Sequence, residues 1–270
     1  MQQIDIEIKA SGIAVITMTP PKLFMNRFTV EELGQALSQV EANDNVRVVI
    51  LTGGNKDYFI RHYDVRELGK FSAVLSTDDS FDVSRDQVQE RDLDLIFNRI
   101  ATSSRPYIAA INGNAMGGGF ETALACDFRV AQAGDYSLGQ PEINIGILPG
   151  AGGTQRLARL IGASKALDLC LTGRTVGPDE ALSLGMVDRI AENALEGALS
   201  LAAILAAKPK LAVAHIKNLL RHSVEKPLAD ALADERTLFR DLITDPDAIA
   251  LMTEMNDADK DIREMSSVAY

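Results

Sequence analysis

Gly113-Asn-Ala-Met-Gly-Gly-Gly-Phe-Glu-Thr-Ala-Leu-Ala-Cys-Asp127 is the stretch that says most about the fold of this chain. The apolar run Tyr107 to Ile111 before it predicts a strand, and the glycine triplet opens an apolar segment that predicts a helix to Cys126. The first N–H groups of a helix have no partner within it, and glycine lets a ligand approach them closely. The stretch therefore predicts a strand–glycine turn–helix unit that offers backbone donors to an anionic oxygen. A tight turn or close helix packing is the alternative reason for such a triplet.

A second glycine-rich stretch follows, Gly139-Gln-Pro-Glu-Ile-Asn-Ile-Gly-Ile-Leu-Pro-Gly-Ala-Gly-Gly-Thr-Gln-Arg156. Each stretch holds one carboxylate in apolar sequence, Glu121 in the first and Glu142 in the second. A buried carboxylate is costly unless it has a partner or a task. Glu121 lies about one helical turn beyond Gly118, so its side chain leans back toward the backbone donors. The pair indicates acid–base chemistry beside an oxyanion site, whereas a helix-dipole partner and a surface turn are the structural alternatives.

Other glycine, nucleophile and metal motifs do not fit. Neither stretch has the Gly-Lys-Ser/Thr of a P-loop or the dinucleotide-binding spacing, and Gly-x-Ser-x-Gly is absent from the sequence. The only cysteines, Cys126 and Cys170, have no Cys or His at metal-ligand spacing. They predict two reduced thiols in a cytoplasmic protein without a metal site.

Strand and helix signals alternate along the first two thirds of the chain, which predicts an α/β fold. We predict a helix capped by Thr29 with Glu32, a polar and mobile loop from Ser72 to Ser84 that includes Asp78-Asp79, and a helix from about Arg85 to Thr102. From Ala163 onward the pattern is helical apart from a Met186 to Ile190 strand. We therefore divide the chain into a core at 1–190 and a helical lobe at 191–270, in which Leu201, Ile204 and Leu205 turn inward.

Composition narrows the class of protein. The chain has 270 residues, of which 46% are hydrophobic, so it is long enough for one large globular domain or a domain with an appended lobe. A formal net charge of −11 disfavours a general nucleic-acid or anionic membrane surface. The apolar run Ala198 to Ala207 is too short to span a bilayer, and the alternating N-terminus lacks the form of a signal peptide.

Together these motifs resemble the crotonase (enoyl-CoA hydratase/isomerase) superfamily over nearly the whole chain. The motifs that carry the resemblance are Val48-Val-Ile-Leu-Thr-Gly53, Gly113 through Glu121, Ala125-Cys-Asp127, Gly139-Gln-Pro-Glu142, Gly146 through Arg156, Leu171-Thr-Gly173, Ala181-Leu-Ser-Leu-Gly-Met-Val187 and Lys208-Pro209 to Lys217. The resemblance implies a spiral of strand–strand–helix units, with a C-terminal helical lobe that joins subunits into trimers or hexamers.

The resemblance also implies residue roles. Glu121 and Glu142 match the two glutamates that hold and activate water in the hydratases, and the backbone N–H groups of Gly118 and Tyr63 match the oxyanion hole. Residues that the resemblance places at the acyl-CoA site are Met25, Arg61, His62, Asp64, Gly117 and Gly150. The acyl-CoA thioester is the expected partner, and no cofactor is expected besides the coenzyme A of the substrate.

The sequence departs from the family at the oxyanion loop, which reads Phe59-Ile-Arg-His-Tyr-Asp-Val65 where small residues are usual. The family's Asn-Ala-Leu is likewise Asn26-Arg-Phe28 here. We expect Tyr63 to present its N–H inward while the side chains of Arg61, His62 and Tyr63 reshape the entrance, and solvent-facing side chains are the alternative. For His62 a solvent-facing position is favoured over a third acid–base role.

The retained glutamate pair favours an enoyl-CoA hydratase that adds water in the syn sense to a 2-enoyl-CoA. Another crotonase reaction, such as double-bond isomerisation or dehydration/racemisation of an unusual acyl-CoA, is the enzymatic alternative. A non-catalytic binding protein of the same fold is the third hypothesis.

Overall fold

The computed structural model describes residues 1–77 and 90–265, and within them the chain is a mixed α/β structure. Its strands are β1 Ile4–Ile8, β2 Ile13–Met18, β3 Phe24–Met25, β4 Val48–Gly53, β5 Tyr58–Ile60, β6 His62–Tyr63, β7 Tyr107–Ile111, β8 Asn114–Met116, β9 Phe128–Gln132, β10 Leu138–Gly139 and β11 Arg189–Ala191. They form a six-stranded sheet in the order β1-β2-β4-β7-β9-β11, a three-stranded sheet β10-β8-β5 and the pair β3-β6.

The helices follow the strands in a repeating pattern. They are α1 Arg27–Glu41, α2 Val65–Leu75, α3 Asp92–Thr102, α4 Gly118–Ala125, α5 Gly153–Ile161, α6 Ala163–Thr172, α7 Pro178–Leu184, α8 Ala194–Ala206, α9 Lys210–His222, α10 Leu228–Ile243 and α11 Pro246–Asp257, with 3-10 turns at Pro21–Leu23, Glu142–Ile145 and Ile262–Met265. Strands β2, β4, β7 and β9 lie in the large sheet. After each of them the chain forms a short strand in the three-stranded sheet or in the β3-β6 pair, and a helix follows. This is the predicted strand–strand–helix spiral.

The central strands of the large sheet are buried on both faces, which explains the continuous apolar run of β4. Val49 and Leu51 face the main core with α1, α3 and α4, whereas Val48 and Ile50 face the second core beneath α8. Because side chains alternate along a strand, a strand covered on both sides needs apolar residues at every position.

Helix α8 belongs to the packing of the large sheet even though it begins the predicted helical lobe. Ala194, Ala198 and Leu201 are buried against the second face, and Leu205 is partly buried there. Helix α10 then contacts α9 and α11. The domain boundary near residue 190 stays a prediction. Helix α8, which follows this boundary, packs directly against the sheet of the preceding core.

Several element predictions need correction. The cap of α1 is Asn26, whose side chain accepts from the N–H groups of Phe28 and Thr29, so the predicted cap Thr29 lies inside the helix. Glu32 does not complete a capping box and instead accepts from the N–H groups of residues 2–4. Helix α2 continues to Leu75, so the predicted loop from Ser72 is helical at its start.

The remaining differences are at strand and helix ends. Helix α3 begins at Asp92, and the predicted start at Arg85 and the Asp78-Asp79 run lie outside the described residues. The last strand is Arg189–Ala191, which starts three residues later and ends one residue later than predicted. Met186 and Val187 precede it as buried core residues.

Among the described residues, no single helix has the length and apolar composition to cross a bilayer. Helices α8 and α9 have that length and composition only together, and they are bent by 111° where they meet.

Candidate active site

Three segments that carry the predicted site residues meet at one edge of the small sheet. Strands β5 and β10 both pair in parallel with β8, so their carboxyl ends lie at the same edge. The segments that leave this edge begin at Arg61, Gly117 and Gln140. The N–H of Met116 donates to Arg61, and that of Gly117 donates to Gly139, which fixes the three segments against one another.

The backbone turns sharply at Gly117 and enters α4 at Gly118. Gly117 has φ 51°, a left-handed conformation that favours glycine. A Cβ on Gly118 would lie 3.3 Å from the backbone nitrogen of Tyr63. As the first residue of α4, Gly118 has an N–H without a partner inside the helix. The two predicted oxyanion-hole residues therefore lie side by side.

Glu121 is buried one turn into α4, with 3% of its surface exposed. Its Oε1 accepts two backbone hydrogen bonds, from Ala151 at 2.7 Å and from Gly153 at 2.8 Å. These N–H groups belong to the second glycine cluster, so the cluster binds the carboxylate of the first stretch. Both bonds fall on one oxygen, which leaves Oε2 without a bond to the described part of the chain.

Glu142 opens the 3-10 turn after β10 and is half-buried. Its Oε1 lies 2.8 Å from the position that a Cβ on Gly117 would occupy, so Gly117 makes room for the carboxylate. In the amide orientation that satisfies its surroundings, the fully buried Gln140 donates to Oε1 at 3.0 Å and to Oε2 at 3.2 Å of Glu142. The two glutamates are thus held by different partners.

The electrostatic surroundings of the two carboxyl groups differ as well. Burial raises the pKa of Glu142 to about 7, and the negative charge of Glu121 adds to the rise. Burial also raises the pKa of Glu121, but its two backbone donors oppose that rise. The positive charges of Arg91 and Arg156 oppose it further. The arrangement therefore favours the ionised form at Glu121 relative to Glu142.

The unusual oxyanion loop is anchored by its own side chains. The Tyr63 hydroxyl donates to Glu67 of α2 at 3.0 Å, and burial raises the pKa of Tyr63 to about 12, so it stays a donor. Nδ1 of His62 lies 2.6 Å from the carbonyl oxygen of Tyr63, to which it donates as the Nδ1–H tautomer. The His62 ring also packs against Phe24, with ring centroids 4.7 Å apart. Of the three bulky residues, only Arg61 is exposed, and it lies over the Phe24 ring.

The other predicted site residues have mainly backbone roles in this structure. Met25 is fully buried in the main core, and its carbonyl accepts the N–H of Asp64 at 2.7 Å. Asp64 caps α2 and pairs with Arg66 at 2.7 Å. Gly150 precedes the N–H donors to Glu121, and its carbonyl accepts from Arg91.

Sequence reasoning gave no role to three side chains that the structure places around the glutamates: Gln140, Arg91 and Arg156. Gln140 and Arg156 were visible inside the family motifs, but nothing in the sequence shows which atoms they bind. Among the described residues, no group of three His, Cys, Asp or Glu side chains is placed to hold a metal ion.

Comparison with known proteins identifies the family of this chain. The sequence model of the enoyl-CoA hydratase/isomerase family matches residues 8–258, and the chain belongs to this family. A short-chain-enoyl-CoA hydratase from Clostridium acetobutylicum is 32% identical over 249 residues, which cover 91% of each protein. The fatty acid oxidation complex subunit alpha of Shewanella loihica is 39% identical over 211 residues, 74% of this chain and 28% of that subunit.

A solved structure is similar over nearly the full length. The crystal structure of an enoyl-CoA hydratase from Geobacillus kaustophilus has a TM-score of 0.84 and 30% sequence identity, covering 97% of this chain and 96% of that one. The predicted superfamily and the α/β crotonase fold are therefore confirmed, and these relatives support an enzyme of the enoyl-CoA hydratase type.

Proposed function

We propose that this protein hydrates 2-enoyl-CoA thioesters. The observation that carries the proposal is the pair of glutamates, held in different environments beside the adjacent backbone N–H groups of Gly118 and Tyr63. Many relatives with other activities retain only one of these glutamates, as the family resemblance implies. Membership of the enoyl-CoA hydratase/isomerase family supports the same activity.

The proposed reaction adds water across the double bond conjugated to the thioester. The carbonyl oxygen gains negative charge as water adds to the β-carbon, and the N–H groups of Gly118 and Tyr63 stabilise that charge. One such donor contributes roughly 3–4 kcal/mol to the transition state. The negative charge then returns from the oxygen to the α-carbon as that carbon is protonated.

The surroundings of the two carboxyl groups suggest their roles. Glu121, with two backbone donors and two nearby arginines, acts as the base that removes a proton from water. Glu142, whose pKa is raised to about 7, donates a proton to the α-carbon. After hydration Glu121 is protonated and Glu142 is ionised, so a proton must pass between them or through solvent to restore the enzyme.

We also propose that the coenzyme A portion approaches across Phe24. The guanidinium groups of Arg61 and Arg66 lie 5.1 and 5.7 Å from the centre of this ring, beside the oxyanion loop. Arg66 is paired with Asp64, so Arg61 supplies most of the positive charge that can attract the anionic phosphates of coenzyme A. No other cofactor is proposed, because two carboxyl groups supply both proton transfers.

A direct assay tests the function. Purified protein is mixed with crotonyl-CoA, and loss of the enoyl absorbance is followed while 3-hydroxybutyryl-CoA is measured by chromatography. We expect hydration by the wild-type protein. If crotonyl-CoA is not hydrated but a 3-enoyl-CoA is converted to the conjugated isomer, the protein is an isomerase. If acyl-CoA binds without any reaction, the fold serves binding alone.

Assembly and location complete the proposal. We propose a homotrimer or a homohexamer, with the active site near a subunit boundary, because the C-terminal helices expose large apolar side chains. We propose the cytoplasm as its location, on the grounds of its two cysteines without a predicted disulfide. Cell fractionation with an antibody to the protein tests the location.

A further inference from the structure

The loop at 150–153 binds Glu121 through its N–H groups and is itself bound through its carbonyl groups. Ala151 and Gly153 donate to Glu121, as described above. On the opposite side of the Gly150–Ala151 peptide, whose N–H is that of Ala151, Nη2 of Arg91 donates to the carbonyl of Gly150. Nη1 of Arg156 donates to the carbonyl of Ala151 at 2.8 Å. Arg91 therefore holds the peptide whose N–H is that of Ala151. Arg156 holds the next peptide, Ala151–Gly152, which lies between the two donors to the carboxylate.

Each arginine is held in turn by helix α3. Arg91 is the residue before α3 and makes a two-bond ion pair with Asp94, with both nitrogen–oxygen distances at 2.9 Å. Arg156 donates to the side chain of Asn98 on α3 at 2.9 Å. The loop is thereby tied to α3 at two adjacent carbonyls, by Arg91 from 59 residues away and by Arg156 from the first turn of α5.

The conformation of the loop depends on this attachment. Gly152 has φ 92°, and its missing side chain leaves the space that the Arg156 guanidinium occupies. Glycine restricts its own backbone little at such a φ, so the contacts around this turn help to determine where its N–H groups point.

We propose that Arg91 and Arg156 are positioning residues for Glu121: by holding the carbonyls of Gly150 and Ala151, they direct the N–H groups of the loop onto one carboxylate oxygen. The inference rests on the proposed hydratase function. It explains how Oε2 of Glu121 is left available to a water molecule, and what opposes the rise that burial causes in the pKa of this carboxyl group.

The charges around Glu121 agree with this assignment. The ionisable groups that interact with it are Arg91 beside α3, Arg156 of α5, Glu142 of the 3-10 turn and Cys170 of α6. Of these described groups, the two arginines favour its ionised form, so loss of either one should raise the pKa of Glu121. Activity that needs ionised Glu121 is then lost at a higher pH, and the acidic limb of the pH–rate profile moves upward.

The test compares Arg91→Met, Arg156→Met and Arg156→Lys with Arg159→Met as the matched control. Arg159 lies on the exposed side of α5 and bonds only to Gln155 among the described residues. Steady-state hydration is measured across pH. Protein labelled with ¹³C at the glutamate carboxyl carbon is titrated by NMR, and the Glu121 signal is identified by its loss in Glu121→Gln.

We expect kcat to fall by about 10- to 100-fold in both methionine variants with little change in KM, because small displacements of a catalytic group have effects of this size. The pKa of Glu121 should rise in both. Arg156→Lys should keep the pKa near the wild-type value and recover part of kcat, and the control should match wild type. If Arg156→Met does not fold, Arg91→Met and Arg156→Lys carry the same comparison.

Folded variants with wild-type kcat and a wild-type Glu121 pKa would overturn the proposal. The NMR titration needs no turnover, so it also separates this inference from the function. A wild-type protein that hydrates no enoyl-CoA contradicts the proposed function, whereas an unchanged Glu121 titration in the variants contradicts the positioning role.

Discussion

At the scale of single residues, two chemically identical side chains are given different properties by what surrounds them. Glu121 lies in the interior with two backbone donors on one oxygen, and Glu142 lies half-buried with Gln140 along its carboxyl group. Like-charge repulsion and unequal donors separate the protonation behaviour of the pair. This separation lets one group accept a proton while the other donates one.

The raised pKa of Glu142 predicts a pH-dependent stability. Its pKa is about 7 in the folded state and 4.5 for an ordinary glutamate, as in the unfolded chain. Between these pH values the folded state therefore binds a proton that the unfolded state releases. Unfolding free energy should therefore fall as pH rises from 4.5 to 7. Glu142→Gln does not titrate, so it should be more stable than wild type by about 1–2 kcal/mol at neutral pH. The expected difference is smaller than the full pKa shift implies, because solvent screens a half-buried carboxyl group.

Urea unfolding at several pH values measures the effect, with the exposed Glu31→Gln on α1 as control. A stability difference between Glu142→Gln and wild type that does not change with pH would show that Glu142 has an ordinary pKa.

Gly118 provides a second prediction at this scale. A Cβ there would lie 3.3 Å from both the nitrogen and the Cβ of Tyr63, so the two branches of valine would push the oxyanion loop away. We expect Gly118→Val to lower kcat by about 10²–10³-fold, as loss of one oxyanion donor does, with a modest loss of stability. Gly69→Val on α2 is the control, because that position has open space around it. Full activity of Gly118→Val would place the oxyanion site elsewhere.

The sequence was sufficient for the residues whose chemistry is local. Glu121 and Gly118 are one helical turn apart, so their proximity follows from helix geometry alone. Arg91 could not be assigned in this way, because it reaches a carbonyl 59 residues away that only the folded chain brings near. The same holds for Gln140, whose partner depends on the turn at Pro141 and on the space left by Gly117.

At the scale of elements, strand β7 has the predicted bounds, and each of its five residues is buried, as a continuous apolar run predicts. The start of α1 was predicted wrongly because Asn26 and Thr29 are both good caps, three residues apart. In the structure they cap together, and the hydroxyl of Thr29 accepts the N–H of Asn26 at 3.2 Å. Local sequence does not decide between these two caps, because Glu32, which would support a cap at Thr29, binds the N–H groups of residues 2–4 instead.

Helix α9 is joined to the core by a largely buried ion cluster around Asp127. This carboxylate accepts from Lys217 and Arg221 of α9, both at 2.8 Å, and from the N–H of Tyr107 at 2.7 Å. The Lys217 and Asp127 side chains are only 8% and 10% exposed, so removing one charge leaves the other poorly compensated.

Asp127→Asn should therefore lower the free energy of unfolding by about 3 kcal/mol and lower Tm. Asp234→Asn is the control, because it breaks an exposed pair with Lys226 that contributes about 0–1 kcal/mol. Differential scanning calorimetry compares the two. Equal Tm losses in the two variants would show that the buried Asp127 charge contributes no more to stability than the exposed Asp234 charge.

At the scale of the whole molecule, the C-terminal helices expose more apolar surface than one chain needs. Leu220, Leu228 and Phe239 are 68%, 73% and 61% exposed. Side chains of this size normally lie against a partner when several are exposed together. We expect light scattering coupled to gel filtration to give three or six times the 29.2 kDa chain mass, and Phe239→Glu to shift the protein to smaller species. A wild-type monomer across micromolar concentrations would contradict the proposed assembly.

The central claim is that Glu121 and Glu142 act together on one water molecule, and a double-mutant cycle of crotonyl-CoA hydration tests it most directly. We predict that Glu121→Gln and Glu142→Gln each lower kcat by orders of magnitude, while folding and acyl-CoA binding are retained. The double variant should be scarcely slower than the slower single variant, because groups that act as a unit are strongly non-additive. Near wild-type hydration by either single variant, or single effects that simply multiply in the double variant, would contradict the account.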